Sequence, residues 1–364
     1  MTTNRIFLLL SVISILFTTS CDSVSSDSET GIPQSQDGTW LIPENQIFVG
    51  AGKDGIPSVD GPSFSTVGEI SFMQDDELIL GIKVKDEIKG YPHSVLNYHE
   101  IINDRIADIP VAITFCPLTG SGTAWSRVIN GEETTFGVSG LIHKNNLIAY
   151  DRATNNFWSQ MKEMSVHGSL QREKTATYQL VEMNWKAWRE SFPESQVMNR
   201  NTGFARNYHI YPYGRNYNRD NNNIIFPIHR EDDRLERKAL AHGVYYDIDL
   251  HIFPFDSFQD KIQVIHRTIN GNDIVVAGSL EYEMVISLSR ETEDGTVLTF
   301  TESEKELPVL MADNEGNEWN VFGECISGSR IGERLSHIPA YNAYWFAWVD
   351  FYGDGPRSPI IVFP

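Results

Sequence analysis

Cysteine is scarce in this chain, and 3 among 364 residues cannot support a disulfide framework. Basic residues are short as well. The 29 Lys and Arg stand against 49 Asp and Glu, and the formal charge of −20 excludes nucleic acid and anionic lipid surfaces as partners, because neither would be neutralised. The phosphate-cradling pattern G-x-x-x-x-G-K-[ST] is absent, as is any convincing dinucleotide loop. HEIIN, residues 99 to 103, stops one ligand short of the HExxH zinc helix, because Asn103 stands where the second imidazole belongs. Ser139 in GVSGL lacks the closing glycine of a G-x-S-x-G nucleophile elbow, with Leu141 in its place.

Membrane-spanning length is missing too. The apolar run from Ile6 to Phe17 is shorter than the roughly 20 residues a helix needs to cross a bilayer. With Arg5 before it and TTSC after it, the run has the layout of an export signal over residues 1–20. The TTSC ending resembles a bacterial lipobox, in which the cysteine, here Cys21, is lipidated and becomes the new N-terminus. An ordinary signal peptide cut nearby is the alternative. Residues 21–38 continue as a Ser-, Asp- and Gly-rich stretch with almost no apolar content, a solvated tether. The expected product is an exported lipoprotein, anchored to a membrane through Cys21 and facing the periplasm, outer membrane or cell surface. Cys116 and Cys325 then remain, with pairing, free thiols and metal ligation all open.

What is present in quantity is internal repetition. GIKVKDEIKGYP (81 to 92) aligns without a gap with GVYYDIDLHIFP (243 to 254), matching Gly81 to Gly243 and Pro92 to Pro254. IPVAI at 109 to 113 lines up with IVVAG at 274 to 278, which sets Leu280 or Glu281 opposite Cys116. Both copies close on Trp-x-x-Trp, at Trp185 and Trp188 and again at Trp345 and Trp348. A period this long suits two homologous domains, placed at 70–200 and 235–357 and joined by an Asn-, Arg- and Tyr-rich connector over 201–234. Short β-branched or aromatic runs such as GIKV, PVAITF and LIAYD, bounded by Gly, Asn, Asp or Pro, predict strands. Asn130-Gly131 and Asp294-Gly295 predict hairpins, and helical pattern follows Pro92 and covers Trp-x-x-Trp, two short helices per copy. The fold class is α+β, mainly antiparallel β, built twice.

The repeat is an internal control: what both copies share belongs to the fold, and what only the first carries is a candidate for function. His99, Glu100, Cys116, Ser139, Asn146 and Arg152 fall in the second group. Cys116 ends an apolar strand beside the Gly120-Ser121-Gly122 turn, where backbone N–H groups favour thiolate; a buried thiol acting as a small hydrophobe is the other reading. Asn146, Tyr150, Asp151 and Arg152 gather polar groups along a strand, as a ligand site or as a structural network and turn.

The motifs HEIIND, PVAITFCPLTGSGTAW, TFGVSGL, NLIAYDRATNNFWSQ, TGFARNY and YWFAWVDF together resemble the bacterial family known as domain of unknown function 3179. The likeness runs over most of residues 70 to 357. It implies an exported or lipid-anchored protein and carries no established activity. Members of that family usually read C-P-L-C, a pattern able to hold a soft metal or a redox disulfide; here Thr119 replaces the second cysteine, which removes the redox couple and weakens a metal site.

Two functions from different classes follow. The first is a binding protein that holds a small ligand or a soft metal ion such as copper at the first domain, with Cys116 and His99 as ligands and Met161, Met164 and Cys325 as further sulfurs. The second is an enzyme with Cys116 as nucleophile, His99 as its base and Glu100 beside them. A non-catalytic scaffold is the third alternative.

Overall fold

The computed structural model describes residues 39–353 and 360–363. The export signal, the tether with Cys21, and residues 354–357 of the second half lie outside the described residues. The chain is mainly β, with antiparallel pairing dominant and three α-helices among the described residues.

The runs expected to be strands pair as hairpins in chain order. β1 (Leu78–Val84) and β2 (Glu87–Pro92) are antiparallel, and Pro92, at φ −62°, ends the ladder and starts α1 (His93–His99). Glu100 adopts φ 57° and turns the chain into β3 (Ile101–Ile106), β4 (Ile109–Cys116) and β5 (Ser121–Ser126), a meander. β6 (Phe136–His143) and β7 (Asn146–Asp151) form the next hairpin. β8 (Val181–Asn184) returns to pair with β1 and runs into α2 (Trp185–Ser191), whose start is capped by Asn184 accepting from the Ala187 N–H at 2.9 Å.

The second half follows the same order. β9 (Leu240–Tyr246) and β10 (Asp249–Pro254) correspond to β1 and β2, and β11 (Gln263–Ile269), β12 (Asn272–Ser279) and β13 (Met284–Ser289) to the meander. β14 (Phe300–Glu302) pairs with β15 (Met311–Asp313), and β16 (Ala340–Tyr344) pairs back on β9 before α3 (Trp345–Tyr352). The sheet β8-β1-β2 continues through a parallel strand, Gln196–Met198, to an antiparallel edge strand, Phe64–Thr66, and β16-β9-β10 ends on one parallel edge strand, Ile361–Val362.

Matching residues do matching work. Trp188 presses on Gly81, where an added Cβ would lie 1.9 Å from its ring, and Trp348 presses on Gly243, where the gap would be 2.4 Å. Bare backbone is what lets the indole lie flat on the sheet. The indole N–H of Trp158 donates to Asp151 at 3.1 Å and that of Trp319 to Asp313 at 2.9 Å. Asn103, at the missing zinc-ligand position, pairs its amide with the backbone of Phe136, and His266 accepts from the Phe300 N–H in the equivalent place.

The halves also differ from expectation. Asn130-Gly131, with φ 51° and 87°, makes a two-residue hairpin turn, but Asp294-Gly295 sits in a wider loop closed by the Glu291 to Val297 bridge. After Pro254 a 3-10 turn, Phe255–Ser257, stands where the second half was expected to carry a helix, and the Phe258 ring then packs on Gly278, 2.6 Å from its would-be Cβ. The meander register sets Ser279, paired with Met284, where Cys116 pairs with Ser121, so Leu280 and Glu281 fall beyond the strand.

The halves share a core. One apolar cluster joins Ile79, Trp188 and Phe192 to Ile286, Trp319 and Phe322, and another buries Met161 with Tyr341, Trp345 and Trp348. The connector holds no helix or strand. It lies across the first half, with Tyr211 donating to Pro117 O and Tyr217 to Leu118 O.

Candidate functional site

Cys116 ends β4 fully buried, its thiol directed at the Asn145 carbonyl at 3.6 Å. Glu100 is buried too, with Oε1 accepting from Tyr213 at 2.7 Å and Oε2 without a partner. Tyr211, Tyr213 and Tyr217 of the connector cluster beside them, with ring centroids about 6 Å apart and Tyr211 stacked on Tyr217. Burial, and then the Glu100 carboxylate, push the thiol up to about 11, while burial pushes Glu100 up to about 7. An enclosed neutral thiol is no nucleophile.

His99 does not come to its aid. Its Nδ1 bonds Pro57 O at 2.7 Å and its Nε2 bonds the Tyr208 hydroxyl at 2.8 Å, so both nitrogens are already engaged away from Cys116. The left-handed turn at Glu100 sends the two neighbouring side chains in different directions. The expected pairing of thiol and imidazole, as base or as metal ligands, is therefore not formed. The sulfurs are dispersed as well: Cys116, Cys325 and Met161 occupy three separate apolar clusters, and both cysteines are free. Met164 stands on an edge strand opposite Ser159. Among the described residues, no three of His, Cys, Asp and Glu gather as a metal-binding group.

Asn146 belongs to a closed polar network inside the first half. Its Nδ2 reaches Thr119 Oγ1 at 3.0 Å and Gln160 Oε1 at 2.6 Å, and Ser121 donates to Gln160 Oε1 at 2.7 Å. Gln160 donates on to Thr114 and to Ser121 O. Satisfied on every side, this network is structural. Ser139 donates to Ile148 O inside the β6–β7 hairpin, and Asp151 accepts from Thr154, Asn156 and Trp158 to hold its turn. Tyr150 donates to Asp54, and Arg152 clamps Asp60 and Ser58, so both tie the chain before β1 to the first half.

Three of the unsatisfied buried groups lie close together on α1. An open cavity of about 440 Å³ between the two halves is lined by His93, Ser94, Asn97, Glu182 and Tyr344, with Tyr208 and Tyr211 of the connector as a further wall. His93 Nε2, Ser94 Oγ and Asn97 Oδ1 have no hydrogen-bond partner within the protein. Asn97 is only 8% exposed. His93 Nε2 stands 3.9 Å from Glu182 Oε1; burial holds the imidazole down to about 3 and raises the carboxyl to about 7, so below neutral pH the contact joins two uncharged groups.

Glu182 Oε2 accepts from Asn342 at 3.2 Å, and Asn342 Oδ1 receives His242 Nδ1 at 2.7 Å, while His242 Nε2 meets Ser287 Oγ at 2.8 Å. Ser287, His242 and Asn342 follow the order of an acyl-transfer triad. The adjoining cavity, about 30 Å³, admits about one water and no acyl group. The chain of contacts serves to brace Glu182 against the second half.

A family model matches residues 53–355, both halves included. The chain belongs to the family described as Protein of unknown function (DUF3179). No curated protein and no solved structure matches it.

Against the DUF3179 pattern, the Thr119 departure has a clear structural result. Its hydroxyl lies 2.8 Å from Ser121 Oγ, inside the Asn146 network, so the second sulfur position is occupied by a satisfied hydroxyl. His93 was legible by the same rule that singled out Cys116. Extending the ungapped alignment by one residue sets it against Phe255, and the strand pairing sets Glu182 against Asn342.

The enclosed thiol has a measurable consequence. A pKa near 11 against an ordinary value near 9 leaves roughly 100-fold less thiolate at pH 8, before access is counted. Alkylation followed by peptide mapping is expected to leave Cys116 unlabelled in native protein and labelled in denaturant. Rapid native labelling would contradict the closed tyrosine cover.

Proposed function

We propose that this chain is an exported, lipid-anchored binding protein built from two copies of one domain, and that it holds a small polar ligand in the cleft beside α1. One observation carries the binding reading: three neighbouring residues of a single short helix, His93, Ser94 and Asn97, line an open cavity, and each carries a buried polar atom that nothing in the protein satisfies. Buried polar groups are nearly always paired, so a cluster of exceptions in a cavity marks a place where a ligand supplies the partners. The orphaned atoms belong to the first half, where the non-repeated residues concentrate. The shared core makes the second half a wall and a brace for Glu182. A small molecule fits this arrangement better than a metal ion, since the orphaned atoms are an imidazole nitrogen, a hydroxyl and an amide oxygen spread along a helix.

A thermal-shift screen of the full chain against a panel of small metabolites tests the reading. At least one compound is expected to raise the melting temperature by several degrees, as binding to the native state requires. His93→Phe, which installs the second half's residue, and Asn97→Leu are each expected to abolish that shift. Shifts of equal size in both variants would remove the cleft from consideration.

A further inference from the structure

We infer that the cleft takes a small organic cation, a primary amine or a guanidinium, seated between carboxylates at one side and tyrosine rings at the other. This rests on the reading of the cleft as a ligand site and names the class of ligand. Four carboxyl groups line the cavity: Asp76 and Glu77 ahead of β1, Glu182 on β8, and Glu283 in the turn before β13. After burial, which is the larger cause, Asp76 raises the proton affinity of Glu283 and Glu283 that of Glu182. Such mutual repulsion is relieved by a positive ligand.

The acidic cluster alone would be an ordinary solvated face. Asn97 gives it direction. The residue lines the same cavity, is more than nine-tenths buried, and its orphaned atom is the amide oxygen, an acceptor. An acceptor left empty among carboxylates asks for a donor that carries positive charge. Tyr208, Tyr211, Tyr344 and Phe115 add aromatic faces to the lining, which attract a cation and not an anion.

The two basic residues in the lining do not reverse this sign. Lys238 points its ammonium away, donating to Tyr217 O and to Asn223 O at 2.7 Å, 3.2 Å over the Tyr217 ring. Arg219 acts on Glu283 and offsets that carboxylate, which leaves Asp76 and Glu77 in excess. An anionic ligand would meet one available cation, Arg219, against the carboxylates of Asp76, Glu77 and Glu283.

Glu182 makes the binding proton-linked. The titratable groups around it are His93 on α1, Glu283, Tyr344 at the end of β16, and Glu163, His242 and His337 across the smaller cavity. The three histidines stay neutral down to about pH 4 or below and Tyr344 stays protonated, so Glu182 is the buried group that changes charge near neutrality. A cation beside it favours the ionised form. Binding should therefore tighten as pH rises through 7, by about fivefold between pH 6 and 8 if the ligand lowers the carboxyl's pKa by one unit.

Isothermal titration of the full chain with putrescine, agmatine, 1,4-butanediol and succinate tests the class. The expected result is saturable binding of putrescine or agmatine that is at least tenfold weaker in Glu283→Gln and in Asn97→Leu, with a pH dependence lost in Glu182→Gln. Glu283 is exposed, so its variant keeps the fold. Tighter binding of butanediol or succinate than of the amines overturns the cation inference while leaving the cleft reading in place, provided that binding is lost in His93→Phe. Amine binding unchanged in the Glu283 and Asn97 variants overturns it as non-specific attraction to an acidic surface. Absence of binding by putrescine and agmatine overturns it outright; the thermal-shift screen decides separately whether the cleft binds anything.

Discussion

Trp188→Ala is expected to lower unfolding free energy by about 3 to 5 kcal/mol, a large share of the roughly 5 to 15 kcal/mol that keeps an ordinary domain folded. Trp188 is fully buried, and its ring lies against both Gly81 and Gly90, where no side chain can move in to refill the space. Phe192 at 4.9 Å and Phe322 at 6.5 Å, ring centre to ring centre, close the remaining sides, and Phe322 belongs to the second half. The cavity would therefore open inside the core that joins the halves. Ser195, whose hydroxyl receives the indole N–H at 3.0 Å, loses that donor as well. Trp348→Ala, which empties the matching position on Gly243, should cost a similar amount. Urea unfolding of both variants measures this; a loss below about 1.5 kcal/mol at Trp188 would mean that the site collapses, contrary to the two bare glycines beneath it. Gly81→Ala attacks the same contact from the other side and should also destabilise, since its methyl would lie 1.9 Å from the ring.

That pair of contacts marks the limit of what was readable in the chain, since Gly81 and Trp188 lie far apart in it. Strand runs and the Asn130-Gly131 turn are local signals, each set by a few neighbouring residues, and each appears where expected. Convergence of distant side chains is not local. His99 and Cys116 sit near the two ends of one β3–β4 hairpin and looked like partners, yet one left-handed residue, Glu100, separates their directions. Asn146 had the composition of a ligand site, but whether an amide faces a ligand or Gln160 depends on strand packing that no linear pattern records. The cleft depends on the connector and on both halves meeting, so only His93, through its lack of a counterpart, left a mark in the chain.

Glu100→Gln is expected to flatten the dependence of stability on pH. In the folded protein Glu100 titrates near 7, raised by burial, whereas an unfolded chain releases that proton near 4.3. Below about pH 4 both states hold the proton, and the group then contributes no pH dependence. As pH rises past 4.3 the unfolded state ionises first, so the folded state loses stability until Glu100 itself ionises near 7. Over that window the loss is on the order of 3 kcal/mol, the size of a shift of between two and three units. Glutamine keeps an oxygen for the Tyr213 hydroxyl and removes the titration. Glu182 carries a shift of the same sign and similar size, so the single variant should remove roughly half of this term and Glu100→Gln with Glu182→Gln most of it. The buried histidines His93, His143, His242 and His337 act in the opposite sense, losing stability as pH falls below 6.5. Their contribution is common to wild type and variant and cancels in the difference between the two curves. That difference, from urea unfolding at pH 4.5, 6 and 8, should grow steadily toward the glutamine variant. Parallel curves would place the Glu100 carboxyl in contact with solvent, and the tyrosine cover over Cys116 would have to be open.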